Sequence, residues 1–365
     1  MMYKILVINP GSTSTKLSIF IDDAEVWNKN LKHSNKKIKK YVKIIDQLAW
    51  RQNLIKEEVE NSKYEFAELD AIVARGGVAL DPLLGGTYLI DKKMVKDLKI
   101  AKNSAHASNL AGIISYNLGQ QYNKPAYTVD PISVDEFEDI ARLSGLPELP
   151  RRCQSHALNL KSIGRKTAKE INIRFEGAKF IGAHLGGGIS IATLKRGRIV
   201  DVNNANQGGP YSPERVGTLP TLDLAEYILD NQPEKDIFIK KLLGNGGLNA
   251  YLKTNDCVEI EKRIEQGDKK AKLVYEGMIY QIAKDIGAMA AVLNGEVDAI
   301  FITGGLANSE YIVERLIKKV EYISKVFVYP GAEEMEDLKE GVLRVLRGEE
   351  RAKSYQEGKI DTILF

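Results

Sequence analysis

One pattern constrains this chain more than any other: a strand pair hinged on small residues occurs twice. Near the start it reads Lys4-Ile-Leu-Val-Ile-Asn-Pro-Gly-Ser-Thr-Ser-Thr-Lys-Leu-Ser-Ile-Phe20, and it recurs as Lys179-Phe-Ile-Gly-Ala-His-Leu-Gly-Gly-Gly-Ile-Ser-Ile-Ala-Thr193. Each copy runs an apolar strand into a small-residue turn and out along a second strand, followed by a charged turn and a third strand. The offset that puts Asn9 on His184 also puts Gly11 on Gly186. Glycine admits positive φ and close approach, so such a turn brings backbone N–H groups near an anion. Two copies imply two similar half-molecules facing one phosphorylated ligand, the arrangement of a phosphotransferase.

A chain of 365 residues exceeds one ordinary core and fits two domains. Charged residues are 28% of it, with Lys+Arg 52 against Asp+Glu 49, and the basic residues are spread along its length. The densest run, Lys36, Lys37, Lys39 and Lys40, reads as a solvated turn or strand edge. No zinc spacing and no aromatic–basic interleaving accompany it, which argues against nucleic acid as a partner. Cys153 and Cys257 lie in no metal or redox motif, and no segment reaches membrane-spanning length. These features predict a cytoplasmic protein with no membrane partner.

The residue pattern predicts strands at 3–9, 16–21 and about 24–31, a helix at 46–61 and a buried strand Leu69–Ala74 running into Arg75-Gly76-Gly77. Helical periodicity covers 92–118, and Ala126–Val129 is a strand meeting Asp130-Pro131. The proline-bearing stretch Gly145–Arg152 marks a crossing, giving domains at 1–150 and 151–332. The second begins with a helix at 155–174 and repeats the strand triplet at 179–183, 189–194 and 198–203. A Gly/Pro-rich loop follows at 206–220, then helices at 221–230, 234–243, 256–266 and 268–293. A strand Asp298–Thr303, a helix at 309–319 and a short strand at 325–329 come next. A last helix over 333–354, within the segment 333–365, is expected to return to the first domain. Hairpins mixed with long helices predict an α/β fold with mixed sheets.

The polar residues of the first turn, Asn9, Ser12, Ser14 and Lys16, are suitable donors for the oxygens of a transferring phosphoryl group; turn chemistry with a surface lysine is the plainer alternative. No nucleotide P-loop pattern occurs. His184, Gly186, Gly187 and Gly188 form the second turn, where three successive glycines are costly unless backbone geometry demands them, a tight hairpin being the other explanation. Gly304 and Gly305 follow a strand at the carboxyl edge of a sheet, where open α/β folds present ligands. Arg75 follows a buried strand and is suited to clamp a carboxylate or phosphate. Arg215 in the loop at 208–217 suits a mobile catalytic donor or a surface ion pair. Asp130 suits Mg²⁺ or acceptor orientation, or an Asx-Pro turn. His106 and His156 begin helices or lie in them, and a lone histidine of this kind is more often structural. Glu333 and Glu334 suit a helix N-terminus, with a metal role the sharper alternative.

These segments together resemble the butyrate kinase branch of the acetate kinase family, within the actin-like/hexokinase/Hsp70 superfamily. The resemblance spans about residues 3–354. It rests on Asn9–Lys16, Arg75–Gly77, His106–Asn109, Asp130-Pro131, Arg151–His156, His184–Gly188, Gly209–Thr218, Thr254–Asp256 and Thr303–Gly305. It implies two ribonuclease H-like domains around a cleft, the first on the acid side and the second binding nucleotide. It also implies ATP/ADP and Mg²⁺ as cofactors, a short-chain carboxylate as substrate, and a homo-oligomer. Catalytic roles fall on Arg215, His156, Asp130 and Lys16, and phosphate or substrate contacts on Asn9, Ser12, Ser14, Arg75 and His106. Nucleotide contacts fall on His184, Gly186, Gly187, Gly188, Asp256, Gly304 and Gly305, and metal contacts on Asn9, Asp130 and Glu334.

Three positions depart from the acetate kinase pattern: Ile72 stands at the substrate arginine, Gly187 at an asparagine, and Val258 at a nucleotide-side arginine. Arg75 occupies a neighbouring histidine's place and is the candidate to supply the missing charge. The departures favour acids longer than acetate. A sugar kinase of the same superfold, or a nucleotide-gated interaction protein, would share the phosphate turns and differ in its acceptor.

Overall fold

The apolar run Ile5–Ile8 is buried on both faces, as a central strand must be, and it forms β1 (Lys4–Pro10). In the computed structural model, residues 2–77, 79–101, 106–331 and 333–360 are described. They form two units, Met1–Asp135 with Glu333–Phe365, and Glu136–Ala332.

In the first unit β1 pairs antiparallel with β2 (Ser14–Ile21), which pairs antiparallel with β3 (Ala24–Lys32). On its other side β1 runs parallel to β4 (Ala71–Ala74). The edge strand β5 (Thr87–Leu89) pairs antiparallel with β6 (Ala126–Val129), which is parallel to β4. The order is β3-β2-β1-β4-β6-β5. β3 is mostly exposed and carries Lys29 and Lys32, charges that discourage edge pairing. Leu6, Ile8, Leu17 and Ile19 meet Leu110 and Ile114 of the helix Ala107–Tyr122 in the core. The helix Glu334–Leu346 packs on β1, β4 and β6, so close that a Cβ on Gly341 would overlap Val129.

The second unit repeats the plan with β7 (Lys179–Leu185), β8 (Ile189–Lys195), β9 (Arg198–Val202), β10 (Ala299–Gly304) and β11 (Val326–Pro330). The order is β11-β10-β7-β8-β9, with β7 antiparallel to β8 and parallel to β10. Both units carry a bulge between their second and third strands, at Ile19/Phe20 and Thr193/Leu194. The long helix Lys269–Val292 lays Met278, Ile282 and Ile286 against Ile181, Ile189 and Ile191.

Four features differ from the sequence expectation. The helix expected over 92–118 is two, Lys92–Ile100 and Ala107–Tyr122, because Ala101 turns left-handed at φ 51° and His106 starts the second; residues 102–105 of that expectation lie outside the described residues. The short strand β5 and the helix Gly247–Leu252 add elements the pattern did not signal. The last long helix stops at Leu346, and Gly348 follows at φ 75°. The first unit ends at Asp135 instead of 150. The next residues are tied into the second unit: buried Glu136 pairs with Lys161 at 2.9 Å and accepts Ile199 N–H, and Glu138 N–H bonds Val200.

Candidate active site

In the first unit, the β1–β2 hairpin places Asn9 opposite Lys16 in the ladder, so both side chains rise from one face at the mouth of the turn Gly11–Ser14. Ser12 and Thr13 are exposed at the tip. A Cβ built on Gly11 meets nothing closer than Ser14 at 3.7 Å, and its φ is not left-handed. The fold itself therefore does not require glycine there.

Asn9 is buried and donates through Nδ2 to Glu334 Oε2 at 2.7 Å, while Glu334 Oε1 pairs with Arg75 Nη1 at 2.6 Å. Three segments distant in sequence meet in these two contacts. They belong to Glu334; Glu333 precedes the helix and is exposed. His106 caps the next helix through Nδ1, which accepts Ser108 N–H at 3.2 Å. Burial, with help from Arg75, pushes its pKa below the usual histidine range. Asp130 sits buried at the end of β6 at φ 37°, a strained setting for a non-glycine residue. Its Oδ1 accepts Gly86 N–H at 2.7 Å.

In the second unit, His184, one residue before the end of β7, places Nδ1 2.7 Å from Asn159 Oδ1. His156 stacks on it, ring centroids 3.9 Å apart, and reaches Ser190 Oγ at 3.0 Å. The glycine turn is gripped from the loop at 208–217: Ser212 Oγ donates to Gly187 O at 2.5 Å and accepts Arg215 N–H at 3.1 Å. The Arg215 guanidinium lies on Gly188, where a Cβ would collide with it. Burial lowers the Arg215 pKa, with Glu214 opposing. Gly304 at φ 92° presses on the Leu185 backbone, and an added Cβ on Gly305 meets nothing within 4 Å. His156, His184, Gly186–Gly188, Arg215 and Gly304 thus form one contiguous set. Asp256 caps a helix, its Oδ1 accepting Val258 N–H at 2.9 Å, and its neighbour Asn255 donates to Glu214 at 2.7 Å.

Asp130 and Glu334 are hard oxygen donors of the kind Mg²⁺ takes when substrate phosphates and water complete its shell. Among the described residues no group of three His, Cys, Asp or Glu is assembled to hold a metal by itself. That donor set fits a phosphate-borne Mg²⁺ and not a closed protein cage.

Sequence reasoning missed Arg51, Asn159, Ser190 and Ser212. Arg51 left a readable trace: Gln47, Arg51, Ile55 and Val59 recur every fourth residue along one buried stripe, and an arginine there needs a reason.

A family model described as the acetokinase family matches residues 148–327. The chain is 50% identical over 354 residues to a protein named probable butyrate kinase 2 from Caldanaerobacter subterraneus subsp. tengcongensis, covering 97% of this chain and 100% of that one. It is 45% identical over 357 residues to butyrate kinase 2 of Clostridium acetobutylicum, covering 98% and 100%. The acetate kinase structure from Porphyromonas gingivalis superposes at a TM-score of 0.75 with 18% identity, covering 94% of this chain and 100% of that chain. That from Entamoeba histolytica gives 0.71 with 18%, covering 93% and 98%. These two likenesses establish the fold, two α/β units each built on a mixed sheet. Among the described residues no helix is long and apolar enough to cross a membrane. With full-length identity at this level, the chain belongs to the acetate/butyrate kinase (acetokinase) family.

Proposed function

We propose that this protein is a butyrate kinase, catalysing reversible transfer of the γ-phosphoryl group of ATP to the carboxylate of butyrate or a related short acid, giving the acyl phosphate and ADP. The observation that carries this reading is identity of 45–50% across nearly the whole chain to proteins named butyrate kinase or probable butyrate kinase. The unit Met1–Asp135 with Glu333–Phe365 is the acid side, and Glu136–Ala332 the nucleotide side.

The acid already carries its nucleophilic oxygen, so no strong base is needed. The carboxylate oxygen attacks the γ-phosphorus as the bond to the ADP oxygen breaks, and charge spreads over the three equatorial oxygens. Arg215, His156 and the Asn9, Ser12, Ser14 and Lys16 group are donors for those oxygens. Asp130 orients the acceptor, and Arg75, flanked by His106, supplies the cation for the acid's carboxylate. Gly186, Gly187 and Gly188 with His184 approach the nucleotide phosphates, and Asp256, Gly304 and Gly305 the nucleoside. Mg²⁺, when bound, neutralises phosphoryl charge, with Asn9, Asp130 and Glu334 on its protein side.

Chain-length preference is then pocket volume. Each buried CH₂ contributes roughly 0.8 kcal/mol, so a pocket for four carbons binds acetate about 1.6 kcal/mol more weakly, about fifteenfold. A cytoplasmic homo-oligomer completes the reading. The oligomer's support is the pair of helices Thr221–Asn231 and Lys235–Leu243, which bury no residue and leave Leu222, Leu229 and Ile237 about 70% exposed. Size-exclusion with light scattering tests that point.

The activity is tested by trapping acyl phosphate with hydroxylamine, with Mg-ATP and acetate, propionate, butyrate, isobutyrate or glucose. Product with four-carbon acids above acetate is expected. No hydroxamate from any acid, with ATP still bound, overturns the carboxylate kinase reading, and ADP release with glucose would redirect it to a sugar.

A further inference from the structure

Arg51 is 1% exposed, on the helix Leu48–Glu60 behind the first glycine turn. Among the described residues, every donor contact of its guanidinium ends on an oxygen without formal charge. Nη1 reaches Gly11 O at 2.9 Å, Thr15 Oγ1 at 3.2 Å and Ser14 O at 3.4 Å; Nη2 reaches Ser12 O at 3.1 Å; Nε reaches Gln47 Oε1 at 3.0 Å. Three of these five acceptors are main-chain carbonyls of one turn.

The peptide units are trans, so a carbonyl drawn to one side sends the next N–H to the other. Gly11 O and Ser12 O point at Arg51, which turns the N–H groups of Ser12 and Thr13 away from it. Those two residues are exposed at the turn tip. Consecutive amides presented this way make an anion-binding concavity. Thr15 is fixed from the same side by His33, 2.9 Å away, and Thr13 O accepts His33 N–H at 2.8 Å.

A buried cation surrounded only by neutral dipoles is costly unless a counter-charge arrives. Its strain shows in the guanidinium pKa, which burial lowers to about 10. Among the described residues, its ring neighbour supplies no such charge: the Arg51 guanidinium lies 5.7 Å from the Trp50 ring, and Lys37, 4.6 Å from the same ring, is itself cationic.

We propose that Arg51 is the positioning residue of the first phosphate turn: it holds the turn carbonyls inward so that the Ser12 and Thr13 amides face a phosphoryl group, whose negative charge compensates the buried guanidinium. This deepens the phosphotransferase reading above and rests on it. Arg51 touches no substrate. Its effect is to preset the turn, so that anion binding does not have to organise it. Phosphate binding and local stability are therefore coupled through this one side chain.

The test compares wild type with Arg51→Gln and Arg51→Lys, reading three quantities: the thermal shift produced by inorganic phosphate, kcat, and KM for butyrate. Wild type is expected to gain stability with phosphate. Arg51→Gln is expected to lose that gain and to lower kcat by about 100-fold, the scale of one oxyanion donor, with KM for butyrate changed less than threefold. Arg51→Lys keeps the charge but not the fork that spans three carbonyls, and should retain part of the phosphate shift with kcat down about tenfold. If Arg51→Gln does not fold, Arg51→Lys decides alone. A variant that folds with the full phosphate shift and kcat within threefold of wild type overturns the proposal. A wild type that makes no acyl phosphate yet shows an Arg51-dependent phosphate shift would overturn the carboxylate kinase reading and leave the turn's preorganisation standing.

Discussion

The two glycine turns share one strand plan and are held in place differently. Both leave a buried central strand, and both precede a strand pairing that bulges at a comparable place. The first spans four residues between Pro10 and Thr15, while the second spans three between Leu185 and Ile189. The first is lined with hydroxyls and tied from behind by Arg51. The second has no side chains and is gripped from the front by Ser212 and Arg215. An arginine behind a turn sets its backbone, whereas an arginine on its face is free to act on what the turn holds. Under the proposed function, one strand plan would thus yield a preset cradle and a cradle with a catalytic donor on its face.

The sharpest way to break that contrast is Arg215→Ala. A donor to the transferring phosphoryl group is worth about 10³-fold or more in kcat, and this loss is expected with the melting temperature changed by only a few degrees. A kcat within tenfold of wild type would make Arg215 a structural partner of the glycine turn, as Arg51 is of the first.

Next in size is Gly188→Ala, which drives a methyl group into the Arg215 guanidinium and should cost kcat on the order of 10² by displacing it. Gly187→Ala separates the causes, because its Cβ would rest 3.6 Å from Glu214 in ordinary contact and leave Arg215 seated; kcat within threefold is expected, with the loss falling on KM for ATP as the methyl enters the ligand's path. Equal losses in the two variants would mean the turn itself, and not the arginine's seat, limits catalysis.

Gly11→Ala sharpens the comparison from the other side. The protein leaves room for that methyl, so the melting temperature should stay within about 2 °C, while a ligand approaching the turn loses that room and KM for ATP or acyl phosphate rises about tenfold. An unchanged KM would remove the first turn from the ligand's path.

How much of this was legible in the sequence differs between backbone and side chain. The repeated strand triplet was readable because glycine and β-branched runs report local geometry, and the structure returns it as matching sheet orders. The sequence also marks the residues at 184–188, 156 and 215, and they meet in one set. The Asn9–Glu334–Arg75 contact was not readable as a contact, since it joins residues 325 positions apart through a helix whose docking depends on tertiary packing. Arg51 escaped because its helix was read for periodicity and not for which polar residue interrupts the buried stripe. Asp256 was read from resemblance as a nucleotide contact, and its visible work in the fold is helix capping.

The smallest expected effect again concerns the cradle behind the first turn. His33 is buried against Thr15, with its ring edge on Trp50 at 4.9 Å. Burial first, then Arg51 and Lys37, lower its pKa to about 4, against 6.5 for an ordinary histidine. Between those values the unfolded chain binds a proton that the folded chain refuses, so stability falls as pH drops from about 6.5 and levels off below about 4. His33→Gln keeps a polar partner for Thr15 without a titrating group, so the difference in melting temperature between variant and wild type should move by a few degrees in the variant's favour on going from pH 7 to pH 4.5. Carboxylates that titrate in the same range contribute to both proteins and cancel in that difference. A difference flat in pH would mean His33 accepts its proton in place, and the cradle would then carry two positive charges behind the turn instead of one.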